Sequence, residues 1–400
     1  MTRSHPSRSA ARSFLCLVLT MIVWVFPPAF ADEDRARLMS DMGTGLESIQ
    51  DRPDWDDVEA GLRASIAREY RSPDYDEKQF FARYVEQVPP EALLDFLERE
   101  EATCHRQAHE LGRAIFRQVQ DINQALLICG NGCTNACMHG AIGEAFSDAP
   151  MPDADHQHSH VAHDQPGTDL KRLVQKMEGH CHEGPMARLH KRGNCAHAMG
   201  HALMLKTDHD IDAALEGCRL FSEAGMDYYC ATGVFMQYMD NAMLLGTRQA
   251  DVQRWGANYP CNQHLAFPAA CYRYIVSEVQ RTRGLGLEHL VMLCTQLPEG
   301  VRAGCFHGLG AAYTPLINNR PDMLQLVCSY GGPAERSLCI EGVVEKLADF
   351  DEAGAISACE GLSGEDAVVC EGAARGKMYR LDKPTMEWYR REAEMPHAAH

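Results

Sequence analysis

The chain has 400 residues, 45% of them hydrophobic and 24% charged, with 38 Lys+Arg against 56 Asp+Glu. That balance belongs to globular proteins: it is too apolar for a disordered chain and too evenly polar for a polytopic membrane protein. A formal net charge of -18 argues against nucleic-acid binding, which needs a basic face to displace counterions from phosphates.

At the start, Arg3, Arg8 and Arg12 precede the apolar run Phe14 to Phe26, and Ala29-Phe30-Ala31 then precedes Asp32. This is the layout of a secretory signal peptide over 1–31, and its apolar run falls short of the ~20 residues that span a bilayer. The expected location is periplasmic or secreted, with no membrane span after signal removal. Residues 32–100 hold no cysteine and read as an acidic helical cap, with helices over Asp76 to Val88 and Glu91 to Glu100.

With Cys16 set aside in the leader, sixteen cysteines remain, and an even number in an exported chain reads as a disulfide framework. Cys104 opens a helical pattern, and Cys129, Cys133 and Cys137 follow at four-residue spacing. The expected pairs are Cys129/Cys137 within a hairpin and Cys104/Cys133 between repeats, one of three connectivities open to four cysteines. An iron–sulfur reading of the triplet conflicts with an oxidising compartment.

From Cys181 onward the cysteines fall in six pairs: Cys181/Cys195, Cys218/Cys230, Cys261/Cys271, Cys294/Cys305, Cys328/Cys339 and Cys359/Cys370. Partners lie 10 to 14 residues apart, and the second members recur every 31 to 41 residues, a period typical of stacked helical hairpins. Before the first cysteine runs a helical stripe such as Ile211, Ala214, Leu215 and Cys218; after the second runs another, such as Ile340, Val343, Val344 and Leu347. Breakers such as Gly331-Gly332-Pro333 separate them. Each unit is thus a helix ending in Cys, a turn, and a second helix beginning with Cys. A bridge across such a loop is worth roughly 3 kcal/mol in the chain-entropy model. Such staples would serve many small cores in place of one central core.

The second helix often opens Cys-x-x-Gly, at Gly140, Gly233, Gly308 and Gly342. Glycine weakens a helix, so its recurrence implies close approach of a neighbouring helix. The expected fold is all-α, a superhelical solenoid or closed toroid of disulfide-stapled hairpins over 101–380, followed by a tail over 381–400.

This layout resembles the disulfide-stapled Sel1-like repeat proteins of the Helicobacter cysteine-rich type, although the paired cysteines lie farther apart here and that family's glycine-rich turn is absent. The runs Cys195-Ala-His-Ala-Met-Gly-His201 and Cys230-Ala-Thr-Gly-Val-Phe-Met236 are also similar to those of exported bacterial proteins of unassigned activity. The resemblance implies a fold and no reaction.

Histidines carry the chemical signal. His139, His197 and His307 each stand two residues after a second-helix cysteine, while His105/His109 and His197/His201 are i, i+4 pairs. Imidazoles at that spacing share one helical face and can share a metal. The apolar stripe Phe306, Leu309 and Tyr313 places His307 beside the core, so the six histidines are expected to flank it and converge on a concave face. Taken singly, each is more readily a solvated or hydrogen-bonded structural group; recurrence in one register favours a site. Cu, Zn and Fe all accept imidazole, and Met138, Met199 and Met204 point to copper unless they are packing residues. A separate insertion over 148–169 carries His156, His158, His160 and His163, a flexible tract suited to weak metal capture.

No H-E-x-x-H, G-x-S-x-G, Walker A, dinucleotide or haem-attachment motif occurs. The functional expectation is an exported repeat protein that binds a protein, peptide or small molecule on its concave face and carries a polyhistidine metal site. The alternatives are a periplasmic metalloenzyme using the same histidines, and a metal-free interaction scaffold.

Overall fold

The computed structural model describes residues 53–101, 104–130, 132–147, 166–244, 247–256, 258–383 and 385–391. The expected leader and the four histidines of the insertion lie outside the described residues. Among the described residues there are twenty α-helices and no strand.

Three helices form the N-terminal part: α1 (Ala60–Tyr70), α2 (Glu77–Tyr84) and α3 (Pro90–Glu100). The repeats follow as α4 (His105–Val119), then α5 (Ile122–Cys129) with α6 (Ala136–Ser147), and α7 (Pro166–His182) and short α8 (Gly184–Leu189) with α9 (Arg192–Lys206). Next come α10 (Ile211–Cys218) with α11 (Met226–Leu244), α12 (Arg248–Trp255) with α13 (Pro268–Arg283), and α14 (Leu287–Thr295) with α15 (Glu299–Asn319). The last are α16 (Leu324–Val327) with α17 (Pro333–Phe350), α18 (Glu352–Ala358) with α19 (Gly364–Gly376), and α20 (Met386–Arg391). Aspartates cap several first helices: Asp121 accepts from the Gln124 amide, Asp210 from Ala213 and Asp351 from Gly354, satisfying amides that a helix start leaves open.

The sixteen cysteines form eight bridges with Cα–Cα distances of 5.3 to 5.7 Å. Two lie in the first repeats, Cys104–Cys133 and Cys129–Cys137. The other six are Cys181–Cys195, Cys218–Cys230, Cys261–Cys271, Cys294–Cys305, Cys328–Cys339 and Cys359–Cys370, the expected hairpin pairs.

The place of these cysteines on their helices corrects one expectation, that each second helix begins with its cysteine. Cys271 lies inside α13, Cys305 inside α15, Cys339 inside α17 and Cys370 inside α19, one to two turns beyond the starts at Pro268, Glu299, Pro333 and Gly364. Cys195 and Cys230 likewise lie inside α9 and α11, and Cys261 stands beyond the end of α12 instead of closing it. Proline explains part of the difference. Its fixed φ suits a first helical turn, so Pro268 and Pro333 open helices, and Pro298 caps α15, where breakers alone were expected. The bridges therefore clamp the buried flank of each second helix, and Cys271, Cys305, Cys339 and Cys370 are all fully enclosed.

The second helices pack in sequence, α4 on α6, α6 on α9, α9 on α11 and onward to α19. Their separation is set at the Cys-x-x-Gly positions. A Cβ on Gly140, Gly233, Gly308 or Gly342 would lie 1.9, 1.9, 2.3 or 2.0 Å from the carbonyl oxygen of His109, His197, Arg273 or His307 on the preceding second helix. The contact is reciprocal at α9/α11, where a Cβ on Gly200 would lie 2.0 Å from the carbonyl oxygen of Cys230.

Because these helices nearly touch backbone to backbone, their side chains mesh into shared cores. Apolar residues join into two clusters, one running from Trp55 to Tyr389 and one between Ile317 and Ala374. This replaces the expected series of separate small cores. Helix α9 is buried on every side, with each residue from Gly193 to Met204 enclosed.

Of the tail expected over 381–400, residues 381–383 and 385–391 are described. As far as Arg391 it packs back on earlier helices. Lys383 donates to Glu341 at 2.8 Å, the Thr385 hydroxyl donates to Glu341 at 2.9 Å, and Lys383, Thr385, Met386 and Tyr389 are buried; just before the tail, Lys191 donates to the carbonyls of Gly376 and Met378 and the Tyr229 hydroxyl to the Arg380 carbonyl at 2.9 Å. The segment carries no cysteine or repeat, so only these long-range contacts mark it as structural.

Helix propensity favours alanine over glycine by roughly 1 kcal/mol, whereas overpacking typically costs about 1–3 kcal/mol. Gly233→Ala is therefore expected to destabilise the protein, and denaturant unfolding that showed the stabilisation expected from propensity would contradict the close crossing.

Candidate metal centre

Helices α4, α6 and α9 bring five of the six expected histidines together. His105 and His109 come from α4, His139 from α6, and His197 and His201 from α9. Imidazole centroids lie 4.9 Å apart for His105/His109, His109/His201, His139/His197 and His197/His201. Two triads result, His105/His109/His139 and His139/His197/His201, each with one nitrogen per residue within 4.8 Å of the others. His109, His139, His197 and His201 are buried, not flanking the core as expected, because α9 is covered on all sides.

Hydrogen bonds from the surrounding shell fix which nitrogen of each ring faces inward. Thr232 gives its hydroxyl hydrogen to the Tyr229 carbonyl, so its oxygen accepts from His197 Nδ1–H at 2.8 Å. His201 Nδ1–H donates to Gln237 Oε1 at 2.9 Å, and the Gln237 amide donates to Asn241 at 2.9 Å. Both Nε2 atoms therefore carry lone pairs, and they face each other at 3.2 Å. Two lone pairs at this distance repel, and a cation between them removes the repulsion. Metal–nitrogen bonds of ~2.0–2.1 Å are compatible with this spacing, so His197 and His201 could hold a transition metal together.

His105 and His139 are held in the same manner. His105 Nδ1 lies 2.6 Å from Thr134 Oγ1 and 3.3 Å from the Cys133 carbonyl, which leaves Nε2 toward His109 Nε2 at 3.2 Å. His139 Nε2–H donates to Asn194 Oδ1 at 2.9 Å, and its buried Nδ1 has no hydrogen-bond partner. Ordering of the outer nitrogen by a polar neighbour is the usual second-sphere arrangement of metal-binding histidines. Cys133, Thr134 and Asn135 adopt left-handed backbone, with φ of 49°, 57° and 65°. Such conformations cost of order 1 kcal/mol or more each. Here they present Thr134 to His105 and Asn135 Oδ1 to His190 Nδ1 at 3.2 Å.

Burial, then the neighbouring imidazoles, holds His109, His197 and His201 well below the usual histidine range. Burial brings His105 down to about 3 and His139 to about 4, with the charge of His139 also acting on His105. All five are neutral near pH 7 and offer lone pairs to a cation.

His307 stands apart from this cluster, because its helix α15 lies farther along the stack. Its Nε2–H donates to Glu345 at 3.1 Å, and Glu341 lies 3.7 Å away. These three form another group with metal-ligand spacing, yet Lys383 reaches both carboxylates, at 2.8 Å to Glu341 and 3.1 Å to Glu345. Burial works against the lysine charge, but the two carboxylates outweigh it and raise its pKa. The ammonium thus offsets part of the negative charge of this group, and the buried Arg273 guanidinium also feels the Glu345 carboxylate. Met138, Met199 and Met204 are buried members of the apolar core and act as packing residues.

Several polar groups around these centres escape a search for histidines alone. Thr232, Arg273 and Glu341 also stand two residues after a second-helix cysteine, so reading that register for any polar residue would have found them. Asn194, Gln237 and His190 carry no comparable mark.

Burial of neutral histidines has a pH signature. In the unfolded chain they protonate near 6.5, whereas folded His139 protonates near 4, so the unfolded state binds more protons in between. Metal-free protein is expected to lose stability as pH falls below about 6.5, by up to about 1.4 kcal/mol per pH unit for each such histidine. Chemical denaturation at a series of pH values checks this, and a flat profile would contradict it.

Searches against family models, curated proteins and solved structures found no match for this chain.

Proposed function

We propose that the protein is an exported helical-repeat protein that holds a transition metal through His105, His109, His139, His197 and His201. The carrying observation is the pair of Nε2 lone pairs of His197 and His201, facing each other at 3.2 Å with both Nδ1 atoms committed elsewhere. Five neutral nitrogens suit Zn, Cu or Fe, whereas Ca and Mg prefer oxygen ligands. Eight disulfides fit an oxidising compartment, which supports export. Sequential packing of the second helices supports a solenoid-like or toroidal stack, with the Sel1-like resemblance resting on its cysteine layout.

A metalloenzyme is the second reading. Each triad supplies three nitrogens, leaving a coordination position for an exogenous ligand, as in catalytic zinc sites.

Metal analysis of untagged protein from an oxidising compartment tests the main reading. Stoichiometric Zn, Cu or Fe should survive gel filtration, and should persist when residues 150–166 are deleted. Joint replacement His197→Gln and His201→Gln should abolish tight binding. Absence of stoichiometric metal, before and after addition of each ion, would refute the proposal.

Outer-sphere support gives a finer expectation. Thr232→Val removes the acceptor that orients His197 and should weaken metal affinity by about 10–100-fold. A competition titration with a chromogenic chelator measures this, and unchanged affinity would remove Thr232 from the centre.

A further inference from the structure

The protein is strongly acidic, yet one cleft in it is basic. A cavity of ≈ 780 Å³ lies where the approach to α9 meets the segment after α19, and Lys191, Arg192, Arg375 and Arg380 line it. Asp382 is the sole carboxylate in the lining and is held by Arg380 at 3.0 Å. Arg192 pairs with Glu223 at 3.0 Å and Arg375 with Glu371 at 3.4 Å, both at the surface, where such pairs are weak and exchange readily. Lys191 donates to the Gly376 and Met378 carbonyls; burial lowers the pKa of its ammonium, and the Asp349 and Glu345 carboxylates work against that.

Two further lining residues connect the cleft to the histidines. The Tyr379 ring packs 4.9 Å from the His197 ring. His190 is only 7% exposed, with Nδ1 on Asn135 and no hydrogen-bond partner for Nε2. The volume is that of a small-molecule site, and a concave surface with an excess of one sign of charge concentrates ligands of the other sign.

We propose that this cleft binds a small oxyanion, a carboxylate or phosphate compound, beside the five-histidine centre. The anion site stands on the cleft itself, and only the ligand's place next to a metal rests on the metal reading. Lys191 and Arg380 supply the charge, one from the start of α9 and one from the returning C-terminal segment. Tyr379 separates the bound anion from His197.

Isothermal titration calorimetry on the mature chain with inorganic phosphate and with citrate tests this, with metal content measured on the same samples. Saturable binding of either probe is expected, weakening as salt rises. The probe bound more tightly identifies the phosphate or the carboxylate source. Lys191→Gln with Arg380→Gln should weaken binding by about tenfold or more. Arg192→Gln, at the exposed rim, gives the same direction should the double variant fail to fold. No saturable binding up to ~10 mM of either probe, or binding unchanged in folded variants, would overturn the proposal. Loss of anion binding in protein that retains metal defeats this inference alone. Anion binding in protein unable to take up metal leaves it standing and defeats the metal reading.

Discussion

The near-contact of successive second helices governs the rest of the structure. At Gly140, Gly233, Gly308 and Gly342 there is no room for a Cβ, and the carbonyl oxygen of the preceding helix occupies that space. A crossing this tight fixes both the distance between helices and their relative height. It therefore fixes which side chains meet beside it. Residues two positions after six of the second-helix cysteines, His139, His197, Thr232, Arg273, His307 and Glu341, stand next to these crossings and are buried, whereas Gly372, two after Cys370, is exposed. A row of polar groups is thereby forced into the interior, and each has to be satisfied there.

The protein meets that demand in two ways. Around α4, α6 and α9 the polar groups are neutral imidazoles, oriented by hydroxyl and amide partners so that their lone pairs converge. Around α15 and α17 an imidazole meets two carboxylates, and Lys383 together with Arg273 offsets their charge from within the chain. Leaving a buried ion without its partner costs several kcal/mol, so the second solution needs a cation from the chain itself. The first is neutral, and its converging nitrogens could hold a cation supplied from outside. The same helix register thus serves two electrostatic ends.

Much of this architecture was legible in the sequence because the cysteines carry it locally. Bridged partners such as Cys218 and Cys230 close a single turn, and their spacing records the hairpin directly. That spacing marks the bridge and not the helix boundary, which is why the helices around Cys271, Cys305, Cys339 and Cys370 start earlier than the cysteines imply. Convergence of His139 with His197 followed from register as well. Register gives the height of a residue on its own helix but not how far along the stack that helix lies, and so it could not separate His307 from the others. Partners such as Asn194 and Gln237 come from neighbouring turns and helices through side-chain geometry with no periodic trace. The returning C-terminal segment was illegible for a related reason, since its anchors at Tyr229 and Glu341 lie far away in the chain.

That returning segment also imposes an order on assembly. The contacts that build the stack are mostly between neighbouring hairpins, so they can form as each hairpin is completed. The five histidines are all present once the chain has reached Gln237, the last of their ordering partners. By contrast, the hydrogen bond between Lys191 and the Gly376 carbonyl spans 185 residues, and one wall of the basic cleft is made from the final stretch of the described chain. Contacts of such sequence separation form late, because loop closure has to precede them. The histidine cluster is thus complete about three-fifths of the way through synthesis, whereas the basic cleft exists only after the stretch from Arg375 to Asp382 has folded back.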